Sequence, residues 1–400
     1  AGAATAYWLA SHGHDVVVVE RRTFPRDKTC GDALTPRAVH QLIEMGLGDA
    51  VEGFHHTSGI RFTADDRDLE IPWPSHPLYP AHGIVARRRD LDALVARRAE
   101  TAGAELLLGH EATLPIVRRG FVRGATITGP DGAPIEIRAR FTVVADGANS
   151  RFGRALGTFR TKEWPYATAI RGHWRSTRSE ERWLESALDL RDRDDTPMPG
   201  YAWVFPEGDG TVNVGVGILS TFRDFKSVNS SHLLRDHVER IAGSWGLEPT
   251  APEAPPVSGR IPMGASVGPA AGPTYLVVGD AAGVANPFSG DGIGPAYETG
   301  RLAATVLDEA LTGHDATAIQ RYPKLVADTF GEYYQLGRLF DRLLGHPRVM
   351  RAFGSTAVRS DATTAALVRI MTGSLRTGEF GAAEAVYRLG RAIAKVAPKA

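Results

Sequence analysis

This 400-residue chain has one cysteine, Cys30, no excess of either charge and no long apolar run. A single thiol excludes an internal disulfide and fits a reducing compartment, so the cytoplasm is the expected location. Forty-six Lys and Arg against forty-six Asp and Glu leave a formal net charge of zero, and nothing global points to a nucleic-acid partner. No apolar stretch approaches the roughly 20 residues that span a bilayer. No signal peptide, internal repeat or low-complexity tract is visible, and no metal centre is expected. Hydrophobic residues still make up 43% of the chain, enough for a large core and two or three domains.

What is present is a set of glycine-rich turns at strand ends. Tyr275 to Val278 read as a buried strand ending at Gly279-Asp280; a loop with Pro287 follows, and Gly290, Gly292 and Gly294 open a helix running through Ile293 to about Leu311. Such a turn aims backbone N–H groups and a helix N-terminus at something electron-rich. Asp280 can accept hydrogen bonds from sugar-like hydroxyls, and the glycines let a flat ligand approach without Cβ atoms in the way. At the start of the chain, a helix over Ala1–Ala10, a tight turn at Ser11-His12-Gly13-His14 and an apolar strand closed by Glu20 form the second half of a dinucleotide-binding βαβ unit. Gly2 would be its third glycine and Glu20 its ribose-binding acid. The first strand and two glycines are expected roughly ten residues upstream of Ala1. A third strand, from Thr142, ends in the acid-glycine pair Asp146-Gly147.

Between these turns the pattern predicts helices over Pro36–Met45, Arg88–Ala102 and Ser231–Ser244. Strands are expected in 54–85, at Gly103–Leu108 and in 164–220, with the charged run Arg175–Asp195 read as a solvated face. Residues 313–400 read as helical, with thirteen Lys and Arg against seven Asp and Glu. That mild basic excess suits core and dimer or lid surface, or contact with an anionic membrane. The domain reading is a cofactor unit of 1–55, 86–160 and 260–312, a β-rich unit of 56–85 and 161–259, and the C-terminal helical region.

The three turns, in this order, resemble the FAD flavoproteins built like para-hydroxybenzoate hydroxylase. The resemblance implies an α/β fold: a glutathione-reductase-type Rossmann domain interleaved with an antiparallel-sheet substrate domain, plus C-terminal helices. It places Arg88 against the ADP part of FAD. Two further segments resemble the geranylgeranyl reductase family, above all its actinobacterial menaquinone-reducing branch: Pro25-Arg26-Asp27-Lys28-Thr29-Cys30-Gly31-Asp32 and Tyr201-Ala202-Trp203-Val204-Phe205-Pro206. The first implies a Cys-Gly turn beside the flavin, with Cys30, Gly31 and Asp32 as cofactor contacts; Arg21, next to Glu20, is a further expected contact. The second implies a substrate cavity lined by Tyr201, Trp203 and Phe205. These three alternate, so on a strand they share one face, an apolar row suited to an isoprenoid chain.

The implied reaction saturates one C=C bond of a prenyl tail, with Cys30 and Tyr201 as candidate proton sources. No second nucleotide fingerprint is present, so the electrons would come from outside, through NAD(P)H, ferredoxin or a flavin reductase. Two other readings stay open. One is a flavin monooxygenase or halogenase of the same fold, although halogenases of this type carry Trp-x-Trp-x-Ile-Pro where this chain has Tyr-x-Trp-x-Phe-Pro. The other is a flavin- or lipid-binding carrier without turnover.

Overall fold

In the computed structural model, residues 1–64, 67–346, 348–350, 361–375 and 381–396 are described. With strands and helices numbered in chain order, the chain opens on α1 (Gly2–Ser11) and β1 (Val17–Glu20). β1 pairs in parallel with β7 (Glu105–Leu108), Glu20 opposite Leu108. Helix α4 (Arg88–Thr101) precedes β7 and buries Leu91 and Val95, the spacing that puts both on one face. A second parallel pair joins β11 (Thr142–Val144) to β20 (Tyr275–Val277), and β20 also pairs with β19 (Ala271–Gly272). After β20 comes the long helix α7 (Ile293–Thr312). Alanines of α1 let it lie close against α4 and α7, and Ala4, Leu91, Val95 and Tyr297 share one apolar core.

Three smaller sheets frame these layers. β2 (Ala33–Leu34), β6 (Gly83–Val85) and β3 (His55–Thr57) form one, with β6 central; α2 (Pro36–Glu44) and the short α3 (Gly48–Val51) connect its strands. β8 (Glu111–Arg118), β9 (Phe121–Thr128) and β10 (Pro134–Arg138) form a meander, and α5 (Arg151–Ala155) follows β11. β12 (Phe159–Arg160) pairs with β18 (Val267–Gly268).

The largest sheet has seven strands in the order β17 (Val257–Pro262), β13 (Tyr166–Arg175), β16 (Thr211–Leu219), β15 (Gly200–Pro206), β14 (Trp183–Ala187), β4 (Gly59–Ala64) and β5 (Arg67–Pro72). All neighbours are antiparallel except β14 and β4. Helix α6 (Ser230–Trp245) closes one face of it. Asn229 caps α6 by accepting from the Ser231 and His232 N–H groups, and Gly246, at φ +62°, ends it in the left-handed conformation. Beneath α6 lie Ala202, Val204, Val214 and Val216, so the alternate residues of β15 face away from that core.

β14 runs through the charged segment expected to be a solvated face. That strand is interior to the sheet and buries Leu184, while Arg175, Glu180, Arg182, Arg193, Asp194 and Asp195 of the same run are exposed. Arg61 of β4 reaches Glu185 of β14 at 3.5 Å, Glu181 just before it at 2.6 Å and Glu70 of β5 at 2.7 Å. Helix α8 (Tyr322–Leu344) and two further helices, Asp361–Met371 and Ala382–Val396, complete the described chain. Among the described residues no helix is long and apolar enough to cross a membrane.

Candidate active site

Three pieces of chain far apart in sequence meet on the side of β15 turned away from α6: the turn of residues 27–32, the aromatic row of β15, and the loop entering α7. The row is continuous. Ring centroids of Tyr201 and Trp203 are 5.8 Å apart, and those of Trp203 and Phe205 6.0 Å. Gly31 lies on it so closely that a Cβ there would stand 3.0 Å from Phe205 Cε2 and 3.4 Å from Trp203 Nε1. At the other end, the Tyr201 hydroxyl donates to the Ser289 carbonyl at 2.8 Å, and a Cβ on Gly290 would sit 3.3 Å from that oxygen. Gly290 has φ +72°, a conformation that other residues seldom take. Gly215 faces Trp203 across the β15–β16 ladder, leaving room for the indole where a Cβ would come within 2.1 Å of Cζ2.

The cysteine turn is held from behind by a buried polar network. Arg171 donates through Nε to the Cys30 carbonyl at 3.1 Å and through a terminal nitrogen to the Lys28 carbonyl and to Asp27. Asn213, fully buried, donates to the Cys30 carbonyl at 3.0 Å and to Asp32 Oδ2 at 2.7 Å, while its Oδ1 accepts from Trp203 Nε1 at 2.9 Å. Asp32 takes φ +64° and also accepts from the Arg88 N–H at 3.3 Å. His173 Nε2 lies 3.1 Å from Asp32 and 3.2 Å from Glu207, and Glu207 pairs with Arg87 at 3.0 Å. Burial alone would lower the His173 pKa, but hydrogen bonds to Asp32 and Glu207 carry it up to about 9.

Both candidate proton sources keep their protons at neutral pH. Burial pushes the Cys30 thiol up, with Asp32 nearby adding to it and Arg88 opposing it. Burial raises the Tyr201 phenol to about 12, helped by the neighbouring Asp291 and Cys30. Because the phenolic hydrogen is already given to Ser289, the half-buried thiol is the freer of the two.

The remaining expected cofactor residues fall into two groups. Glu20 ends β1, accepts from the Arg22 N–H at 2.9 Å and pairs with Arg26, which also holds Asp92 at 2.8 Å. Asp92 binds Arg88 at 2.7 Å, and that ion pair outweighs burial to hold the Asp92 carboxyl below its ordinary value. Asp280 meets Lys28 Nζ at 3.3 Å, and a Cβ on Gly292 would lie 3.3 Å from its Oδ1. Gly279 closes on Ala1, where the charges of Lys28, Asp92, Arg88 and Asp280 converge, and Gly2 packs against Ala145.

The second group turns elsewhere. Arg21 is exposed at the end of β1. The Asp146 carboxylate folds its own turn, accepting from Ser150 Oγ and from the Phe152 N–H. Asp32 is sequestered behind the cysteine turn. Pro287 packs on Gly337 of α8. The Ile293 side chain joins the apolar core, and its N–H, like that of Gly294, donates to Asp291 Oδ1. The expected anion-ready start of α7 therefore already carries a carboxyl group, whose pKa burial raises.

Asn213, Arg171, His173, Glu207 and Asp291 escaped the sequence reading. Asn213 did leave a signal, as a lone polar residue in the apolar strand Val212-Asn213-Val214.

The fold and these residues suit FAD. An acid at the tip of β1, cations at Lys28 and Arg88, an acid after β20 and the close-packed glycines Gly279, Gly290 and Gly292 are compatible with a dinucleotide of this kind. Comparison with known proteins agrees. The model of an FAD binding domain matches residues 1–187, and that of a geranylgeranyl reductase catalytic domain matches residues 193–244. Menaquinone reductase of Mycobacterium tuberculosis is 36% identical over 99% of this chain and 94% of its own. A geranylgeranyl bacteriochlorophyll reductase-like protein from Thermoplasma acidophilum superposes with TM-score 0.77 at 23% identity, covering 94% of each chain. A flavin-dependent brominase reaches TM-score 0.74 at 18% identity, over 98% of this chain and 96% of its own, a likeness of fold alone. This chain belongs to the geranylgeranyl reductase family of FAD-dependent oxidoreductases, in the branch of the menaquinone reductases.

Proposed function

We propose that the protein saturates one C=C bond in the prenyl tail of menaquinone. The observation that carries this reading is the meeting of the Tyr201–Trp203–Phe205 row with the Cys30–Gly31 turn. An isoprenoid chain offers only apolar surface and π-bonds, which an aromatic row binds through area and ring contacts. A quinone head, unlike a diphosphate, asks for no cluster of Arg and Lys beside that row.

An isolated trisubstituted alkene lacks a carbonyl to spread charge, so a proton must reach one alkene carbon as the hydride equivalent reaches the other. FAD, when bound in its two-electron-reduced form, supplies that equivalent. Glu20, Lys28, Arg88 and Asp280 would hold its nucleotide part, and the Gly290–Gly292 turn would lie beside its ring. Cys30 Sγ keeps the proton and gives it to the less substituted carbon. Arg171 and Asn213 fix the turn that carries the thiol. Tyr201, tied to Ser289, forms the end wall of the cavity. The electrons reach the protein from an external donor.

A substrate fluorinated on the methyl group of the reduced unit tests the polarity. Turnover is expected to fall steeply, because positive charge builds on the tertiary carbon as the proton reaches its neighbour, and unchanged turnover overturns it. Oxygen uptake coupled to substrate, as in a monooxygenase or halogenase, overturns the reaction class.

A further inference from the structure

Away from the active site, the sheet β2–β6–β3 carries an unexplained group of side chains. His56 lies on β3 opposite Ile84 of β6, and His82 stands two residues before Ile84, so the two histidines share one face of the ladder as diagonal neighbours. Their rings stack 4.1 Å apart at 8°. Both Nε2 atoms are buried, and neither has a hydrogen-bond partner among the described residues. Glu52, just past α3, brings Oε2 to 3.7 Å from His56 Nε2, too far for a hydrogen bond. One ligand atom from each of the three residues falls within 4.8 Å of the others.

We propose that Glu52, His56 and His82 bind a divalent cation of the zinc class. Two buried imidazole nitrogens side by side in stacked rings, without hydrogen-bond partners, are a cost that the fold bears for no visible return. One cation, met by turning the rings out of the stack, satisfies both lone pairs and the carboxylate. Bonds of about 2.0–2.2 Å around a shared tetrahedral centre put neighbouring ligand atoms roughly 3.4 Å apart, close to the Glu52–His56 separation. Imidazole donors select zinc or a similar borderline ion over magnesium or calcium, and three protein ligands leave a fourth position for water.

The buried cluster of Asp32, His173 and Glu207 differs, because Asn213 and Arg87 already meet its carboxylates. The ion would clamp α3 and β3 to the start of β6. That strand also pairs with β2, and the Ala86 N–H just beyond it donates to the Asp32 carbonyl, so the clamp stiffens the mount of the cysteine turn.

The test uses FAD-loaded enzyme stripped with a chelator, then titrated with Zn²⁺ by calorimetry and with Co²⁺ by visible absorption. One equivalent is expected, with the cobalt bands of four-coordinate geometry and a rise in melting temperature. His82→Ala and Glu52→Gln should each weaken binding by more than the roughly 10- to 100-fold that losing an outer partner costs. Glu52 is exposed, so its variant keeps the fold. His14→Asn serves as control, since His14 and His12 already pair with Asp308 at 2.7 and 3.3 Å. Failure to bind, binding unchanged in both ligand variants, or binding lost in the control overturns the proposal.

Discussion

Trp203 Nε1 donates to Asn213 Oδ1 at 2.9 Å, and the same amide holds the Cys30 carbonyl at 3.0 Å, so one buried side chain joins the aromatic wall to the cysteine turn. Asn213→Ala leaves the indole N–H, the Cys30 carbonyl and Asp32 each short of a buried partner. The expected cost is roughly 3 kcal/mol, read as a fall in the urea midpoint. Turnover should fall more than FAD affinity does, because the cysteine turn loosens while the nucleotide contacts remain. An unchanged urea midpoint and turnover would remove Asn213 from this role.

Gly215 gives the indole its place. In Gly215→Val the new side chain meets the ring at a distance no contact tolerates, so Trp203 must leave its place in the aromatic row. Binding of long prenyl substrates should weaken, seen as a raised KM, with roughly 1–3 kcal/mol lost in stability. A variant with unaltered KM would separate Trp203 from substrate binding.

The His173 pKa makes stability depend on pH in a defined window. A folded value of about 9 against an ordinary 6.5 means the contribution is fully present below pH 6.5 and lost as pH rises through about 9. The loss is roughly 3 kcal/mol by order of magnitude. In His173→Asn, urea midpoints should be lower at neutral pH and flat across that window, apart from changes shared with the parent. A parent slope that survives the substitution would assign it to another group.

Much of this arrangement was legible in the sequence. Period-two alternation put Tyr201, Trp203 and Phe205 on one face, and the strand-end acids Glu20 and Asp280 stand where their motifs imply. What local pattern hides is partnership across long sequence separation. Within Arg175–Asp195, Arg175 and Arg193 do face solvent, but Glu181 and Glu185 turn to Arg61, a counter-ion over a hundred residues away. Asp32 looked like a flavin contact until its partners His173 and Asn213, on two other strands, turned it inward. Asp291 was passed over between glycines, yet it takes the two N–H groups at the start of α7.

Cys30 should matter to chemistry more than to binding. Cys30→Ala is expected to lower kcat by roughly 100-fold or more, the usual share of a positioned acid, with FAD content and substrate KM close to the parent. Full turnover in this variant would move the proton elsewhere, with Asp291 the next candidate, since burial raises its carboxyl.

The most direct measurement is a single turnover under nitrogen. Enzyme reduced by dithionite is mixed with menaquinone, the flavin absorbance is followed, and the quinone is then weighed by mass spectrometry. The expected result is reoxidation of the flavin by substrate alone, with a product two hydrogens heavier in its prenyl tail. A flavin that stays reduced until oxygen enters, with an oxygenated or halogenated product or none, would contradict the account.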